Sequence, residues 1–594
     1  MPLTLRHRVP LAAGLAMAAA TLAHAGDARD RVGLLEISGT PAEAPNPFAW
    51  LFGDQEPTLR DLVGAIEDSA DSQDLDHLVI RLKDASLGWS HVDELGQAIA
   101  KVDVPVTVFA EQMGPTDLML ASYADNVLMQ RAGDVSLPGL YMEEMFLADT
   151  LDWVGMEAQL IQVGDYKGAN EQLTRSGPSE AWDQNISGLL DGLYGHMLTT
   201  IGDGRGMDRP AIEASMESLW MAQADDAVRA GLVDRELDLP ALAETVAGED
   251  DPRIVKITAG ASRADFDTSN PFAIFQLLSR EPDRSLDGPT IAVLHLTGSI
   301  MTGDSSSGGL FGGQTIGSRS VRNILKELGE EDMVKGVVLR IDSPGGSATA
   351  SEIIWQGVRE LREQKPVWVS VGSMAASGGY YIAVAGEKIY ANPSSILGSI
   401  GVVGGKISMA ELYDELKINV VGRARGPRAD IFASDRRWND DQIALVRGKM
   451  VEIYDQFTDR VQRGRAGIDL SKTAEGRLFL GKDAVGLEMA DEVGSLDDAV
   501  ADLAQHVGLT EYDVRPYPGP KSLEQFLDET FGGMASAPGL LAGSPSVEHL
   551  PMLRAARAAM GEAAWKQLAT ALEGFALLRD EHVVLTAPSV FSVR

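Results

Sequence analysis

The sequence predicts an α/β protein built as a degenerate tandem duplication and followed by a tail outside the repeat. Three observations predict this: short β-branched runs alternate with helical patterns, their order occurs twice, and the spacing between the copies barely drifts. Val32–Gly39 matches Ile291–Gly298 and His77–Leu82 matches Gly336–Ile341, both at an offset of 259 residues. Val104–Val108 matches Lys365–Val369 at 261, Asp125–Val127 matches Glu387–Ile389 at 262, and Ala230–Asp234 matches Leu487–Asp491 at 257.

The elements follow in order. Arg6 and Arg8 lead into an unbroken apolar run from Val9 to Leu22, and Ala23–His24–Ala25 makes a small-x-small site before Gly26. Residues 1–25 therefore read as an export signal, cleaved after Ala25 or retained as an anchor. The expected location is the bacterial cell envelope, on the periplasmic side of the inner membrane. Residues 26–263 form the first repeat and 289–517 the second; 264–288, with Asn270–Pro271 and Pro282, reads as the linker between them.

In the second repeat Val337–Ile341 is strand-like. Thr349 and Glu352 suggest a capping box for a helix whose inner face carries Ile354, Val358 and Leu361. Val367–Val371 is the next strand and Gly379–Ala385 the next helix. Residues 518–594 read as a mainly helical extension, with a Gly/Pro/Ser-rich joint at Gly532–Pro545 and a helix around Leu553–Leu578, expected to pack on a surface.

A formal net charge of −36 argues against nucleic acid as a partner. The absence of cysteine removes disulfides, thiolate catalysis and cysteine-held metals. The chemistry concentrates in Gly372–Tyr381, where Ser377 stands between small residues and two glycines at the start of an apolar helix. Backbone N–H groups there can stabilise a developing anion. Such a serine needs a base, and no histidine lies in the segments around it.

Overlaying the repeats supplies one. Ser377 falls on Pro115, and the Gly345–Gly346 turn falls on Ser86–Leu87, so the first repeat lacks both features. It holds instead Gly164–Asp165–Tyr166–Lys167, after the strand-like Ala158–Val163; the counterpart Gly426–Ala429 has alanine for the lysine. One repeat keeps the serine and the other the lysine. A lysine can act as general base when burial lowers its pKa, whereas an arginine does not deprotonate. Gly378 and the Gly345–Gly346 turn are the candidate oxyanion donors, through their backbone N–H groups.

At these residues the chain resembles the signal peptide peptidase A (bacterial protease IV) family in its longer, tandem form. The resemblance rests on Gly164–Lys167, Asp342–Ser347 with Thr349–Glu352, Met374–Tyr380, and Asn392–Pro393 through Gly398–Gly401, and it spans about Val32 to Leu509. It implies tandem ClpP/crotonase-like domains, a Ser–Lys dyad of Ser377 and Lys167, a homotetrameric bowl facing a membrane surface, and no cofactor or metal. The substrates it implies are cleaved signal peptides and other unfolded apolar peptides. Ser399 matches a family serine that hydrogen-bonds near the lysine; it also fits a plain turn in a glycine-rich stretch. Pro47–Phe52 and Gly308–Gly312 follow equivalent strands, and these apolar loops are expected either at a rim touching lipid or buried against the other repeat. Two rivals are acyl-CoA chemistry of the crotonase type, which needs no Ser–Lys pair, and a scaffold with a dead site.

Overall fold

The computed structural model of the chain describes residues 30–47, 57–71, 75–260, 285–306, 314–520 and 583–586. Two sheets of parallel core carry the duplication. In the first, of seven strands, Arg31–Gly39 lies between His77–Ala85 and Arg253–Ile257, and Val106–Met113 and Asn126–Val135 continue beyond His77–Ala85. In the second, of eight strands, Thr290–Thr297 lies between Val334–Ser343 and Asp513–Tyr517, and Val367–Ala376 follows Val334–Ser343. The pairing register repeats as well: Val32 sits beside His77 as Ile291 sits beside Gly336.

Both faces of each sheet are covered, which explains why the strands read as continuous apolar runs rather than alternating ones. In the second sheet Leu294, Leu339 and Val369 pack against Ile354, Val358 and Leu361 of helix Ala348–Arg362. On the opposite face Val293, Val338 and Trp368 pack against Val500 and Leu503 of helix Leu496–His506. In the first sheet Val32, Val79 and Phe109 similarly meet Leu242. Each such aliphatic side chain contributes about 1.5–3 kcal/mol on burial.

A third sheet of six strands joins the repeats. Its order is Thr315–Gly317, Ser299–Met301, Gly345–Ser347, Val583–Thr586, Val402–Ser408 and Glu157–Val163. The last of these belongs to the first repeat, yet it pairs antiparallel with Val402–Ser408 of the second, from Val163 beside Val402 to Glu157 beside Ser408. The aligned stretch of the second repeat, leading to Gly426, is exposed and carries no strand. A buried charge cluster sets how the repeats meet: Arg340 is gripped by Glu43 (2.9 Å) and Glu94 (2.7 Å), both from the first repeat. Breaking such a pair by removing one member costs about 3–5 kcal/mol, because the other charge stays buried alone.

Several expectations change. Helix Ala348–Arg362 is capped by Ser347, whose Oγ accepts from the Ala350 N–H, and not by Thr349. The strand Gly345–Ser347 runs straight into this helix, so the helix starts before Thr349, and Glu352 is free to bind Arg460 instead (2.8 Å). At the helix start after strand Val106–Met113, the cap position held by Ser377 in the second repeat is Gly114, one residue before the aligned Pro115. In the tail, Val583–Thr586 is a strand inserted between two others, not surface packing. The signal segment 1–25, most of the linker, the joint at Gly532–Pro545, the helix expected at Leu553–Leu578 and the apolar loops Phe48–Phe52 and Gly308–Gly312 lie outside the described residues. Among the described residues no helix is long and apolar enough to cross a membrane.

Candidate active site

Ser377 ends the strand Val367–Ala376 and caps the short helix Gly378–Ala383. Its backbone takes φ +53° and ψ −111°, a conformation that costs a non-glycine residue about 1–3 kcal/mol. Two hydrogen bonds hold it: the Ser377 N–H donates to the Gly398 carbonyl (2.7 Å), and its own carbonyl accepts from the Tyr381 N–H (2.8 Å). The turn lifts the hydroxyl off the strand and aims it towards the first repeat. There Lys167 follows strand Glu157–Val163 through a turn at Gly164, whose φ is +111°.

Lys167 Nζ lies 2.7 Å from Ser377 Oγ, 2.8 Å from Ser399 Oγ and 2.9 Å from the Ser399 carbonyl oxygen. The lysine is 1 % exposed. Burial pushes its pKa well below the ordinary lysine value, and no charged group offsets that push. A neutral amine has one lone pair and two N–H bonds, which matches three contacts with two serines. Ser399, also at positive φ (+54°), is held by its N–H donating to the Arg477 carbonyl (2.6 Å).

The lysine stem lies on two glycines of the second repeat. A Cβ on Gly476 would fall 2.5 Å from Lys167 N, and one on Gly401 would fall 3.0 Å from Lys167 Cδ. Neither glycine was assigned a role from sequence. Gly401 lies within a motif, while Gly476 follows Glu475 in a stretch with no pattern to mark it. Tyr166, stacked under the Arg477 guanidinium at 3.9 Å, fixes the other side of the turn.

The double glycine forms the facing wall. Gly345 (φ +104°) and Gly346 (φ +153°) adopt conformations that L side chains rarely take. The Gly345 N–H donates to Ser343 Oγ (3.1 Å), so the oxyanion role expected of Gly345 has no free donor; Gly346 sits in the ladder between Ile300 and Leu585, and Gly378 opens the helix after Ser377. Between this wall and Val402–Ser408 lies Val583–Thr586, antiparallel to both, with Leu585 in register with Gly346 and Val584 with Val403. A Cβ on Gly345 would fall 2.0 Å from the Leu585 carbonyl oxygen, and one on Gly378 would fall 3.1 Å from it. That carbonyl therefore occupies the hollow between the two glycines. A cavity of about 670 Å³ beside the lysine turn, lined by Tyr166, Asn170, Glu171 and Arg447, includes neither Ser377 nor Lys167 and is not the reaction site.

Behind the site, burial and the Glu43 charge push the Asp342 carboxyl up to about 7, while its Oδ1 accepts from the Met374 N–H (3.1 Å). Asp342 thus supports the strand that ends at Ser377.

Comparison with known proteins agrees with this architecture. The family model for peptidase family S49 matches residues 98–248 and 359–510, one block in each repeat, and the Clp protease model matches 310–397. Protease 4 of Salmonella typhi is 28% identical over 526 residues, which cover 84% of this chain and 82% of that protein. Protease 4 of Haemophilus influenzae is 28% identical over 74% of this chain and 71% of its own length. The chloroplastic serine protease SPPA of Arabidopsis thaliana is 29% identical over 70% of this chain and 61% of its own length. With both repeats matched across more than half of its length, the chain belongs to peptidase family S49: it is a serine peptidase of tandem ClpP-like α/β domains.

Proposed function

We propose that the chain is a Ser–Lys endopeptidase in which Ser377 is the nucleophile and Lys167 the general base. The observation that carries this reading is the 2.7 Å approach of a buried lysine nitrogen to the oxygen of a serine in strained backbone. The Lys167 amine takes the Ser377 hydroxyl proton as Oγ attacks the peptide carbonyl carbon. The Gly378 and Gly346 N–H groups receive the developing oxyanion. The C–N bond then breaks, with the lysine returning its proton to the leaving amine. Water, deprotonated by the same lysine, releases the acyl group from Ser377 as a carboxylate. Ser399 orients the amine through its two acceptors, leaving the lone pair on Ser377.

The substrates we infer are signal peptides left after preprotein processing and other unfolded apolar peptides. Support comes from the aliphatic packing of Val403, Leu160 and Ala169 around Val584 of the extended strand that lies beside Gly345 and Gly378, and from the family motifs quoted above. The basic residues and apolar run before Gly26 support work on the periplasmic side of the bacterial inner membrane, at the membrane surface. A homotetramer is the assembly that the resemblance suggests.

A fluorophosphonate probe tests the chemistry. It is expected to label Ser377, with labelling suppressed in Lys167→Ala while circular dichroism stays unchanged. Labelling that persists in Ser377→Ala would remove the assignment.

A further inference from the structure

The cavity of about 670 Å³ beside the lysine turn lies outside the reaction site, and its wall carries polar groups that the dyad does not use. Asn170 stands in that wall, three residues after Lys167 and 4% exposed, and its Oδ1 is buried without a hydrogen-bond partner. A buried carbonyl oxygen without a donor is unfavourable, so this one marks a place that a ligand's donor can fill. Three carboxylates share the wall: Asp165, Glu171 and Glu180. Glu171 accepts from the Ser179 N–H (2.7 Å) and from Ser179 Oγ (2.6 Å), and so is held to the start of helix Glu180–Arg205. Asp165 and Glu180 are exposed and make no ion pair among the described residues.

Two cations also line the cavity, and both are directed elsewhere. Arg175 Nε donates to the Gly177 carbonyl (3.2 Å) and lies 3.9 Å from Glu171, while Arg447 Nη1 reaches the Gln162 carbonyl (3.5 Å). Three carboxylates against two guanidiniums leave the wall net acidic, and its buried orphan is an acceptor. Both features call for a cationic donor. Leu160 belongs to this wall and also to the aliphatic packing around Val403, so the cavity adjoins the surface on which the apolar-substrate reading rests.

We propose that this cavity is a subsite for a cationic side chain of the substrate, a lysine ammonium or an arginine guanidinium, on a peptide whose apolar part lies at the dyad. The inference rests on the Ser–Lys and apolar-peptide reading above and adds a charge requirement to it. The cation donates to Asn170 Oδ1 and is flanked by Asp165 and Glu180. The peptide class is one in which basic residues precede an apolar run, the arrangement this chain itself has at Arg6 and Arg8 before Val9–Leu22. Asp165 and Glu180 are exposed, so their attraction is weak and screened by salt. Selectivity comes from the buried acceptor, which an apolar side chain would leave unpaired.

Initial rates on two fluorogenic peptides test this. The peptides share one apolar segment and differ only upstream of it, where one carries lysines and the other norleucines. The full-length natural chain is expected to show a KM about five- to tenfold lower for the lysine peptide. A net charge of −36 attracts any cation, so the share that belongs to the cavity is the share lost on substitution. In Asp165→Asn combined with Glu180→Gln the ratio of the two KM values should fall to about twofold, and in Asn170→Leu it should vanish. Should Asn170→Leu fail to fold, the surface double variant decides. Anisotropy of dye-labelled forms of both peptides on the Ser377→Ala chain makes the same comparison without catalysis. Equal KM values in the natural chain, or a lysine preference that survives these substitutions, overturns the proposal, and fluorophosphonate labelling of Ser377 in the same samples then leaves the Ser–Lys reading standing. A natural chain that does not label overturns the Ser–Lys reading, and the anisotropy comparison still decides the subsite.

Discussion

The two repeats share strand order and pairing register, yet they meet the reaction with opposite endowments. After strand Val106–Met113 the first repeat turns into its helix through Gly114, in extended backbone (φ −98°, ψ −171°), with Pro115 next. After the equivalent strand the second repeat turns through Ser377 at φ +53°, with two glycines next. The first repeat instead sends Glu157–Val163 across to the second repeat's sheet and places Lys167 at its end. The duplication has thus preserved the scaffold twice, and on the proposed mechanism the chemistry survives once, divided across the interface.

The largest effects should come from removing either half of the dyad. Ser377→Ala and Lys167→Ala are each expected to lower kcat by about 10⁴–10⁶, measured on a fluorogenic peptide, because in the proposed mechanism the two residues act as a unit. Lys167→Arg should be as inactive, since the guanidinium does not deprotonate. Gly114→Ser, which puts a hydroxyl at the empty cap position of the first repeat, should restore nothing to Ser377→Ala. Recovered activity in that double variant would mean that the first repeat still holds a working site.

The oxyanion wall comes next. A Cβ on Gly346 would fall 2.0 Å from the Ile300 carbonyl oxygen, at a φ that L residues avoid, so Gly346→Ala should cut kcat about 10²–10³-fold. Gly476→Ala should cost less, about 10–100-fold in kcat with KM little changed. It pushes on the backbone of Lys167 without touching the peptide slot, and a 1 Å misplacement is enough for such a loss.

How much of this was legible in the sequence can be judged from particular residues. Ser377 and Lys167 could be singled out because each is present in one repeat and missing from the other, a contrast that one chain displays internally. The parallel α/β scaffold was legible because its strands, buried on both faces, leave continuous apolar runs at a fixed spacing. The Gly345 role misled because a sequence displays a double glycine and not that Ser343 Oγ takes one of its N–H groups. Gly476 was invisible because its role is to make room for a backbone 309 residues away. Val583–Thr586 was missed because four residues of β-branched character carry no periodicity, and their partners, Gly345–Ser347 and Val402–Ser408, are remote in sequence.

Smaller effects are expected from the ionisation of the lysine. Burial depresses its pKa in the folded chain, so between that value and the ordinary lysine value the unfolded chain binds more protons. Stability contributed by this site therefore rises with pH across that window and falls as pH drops through the folded pKa. Lys167→Met should raise the urea midpoint near neutral pH and flatten its pH dependence, while abolishing activity. Ser399→Ala should have the mildest catalytic effect, a loss of several-fold to tenfold, because the Ser399 carbonyl still holds Nζ at 2.9 Å. An ammonium loses more than an amine when an acceptor is removed, so the rising limb of the pH–activity profile should move to lower pH in that variant.

The most direct test of the split dyad is the rate of Ser377 labelling by a fluorophosphonate as a function of pH, in the natural chain and in Lys167→Met. A dyad divided between the repeats requires that labelling of the natural chain climb through a single ionisation well below the ordinary lysine value, and that Lys167→Met label far more slowly and without that ionisation. A Lys167→Met chain that labels Ser377 at the natural rate, with the same pH dependence, would refute it.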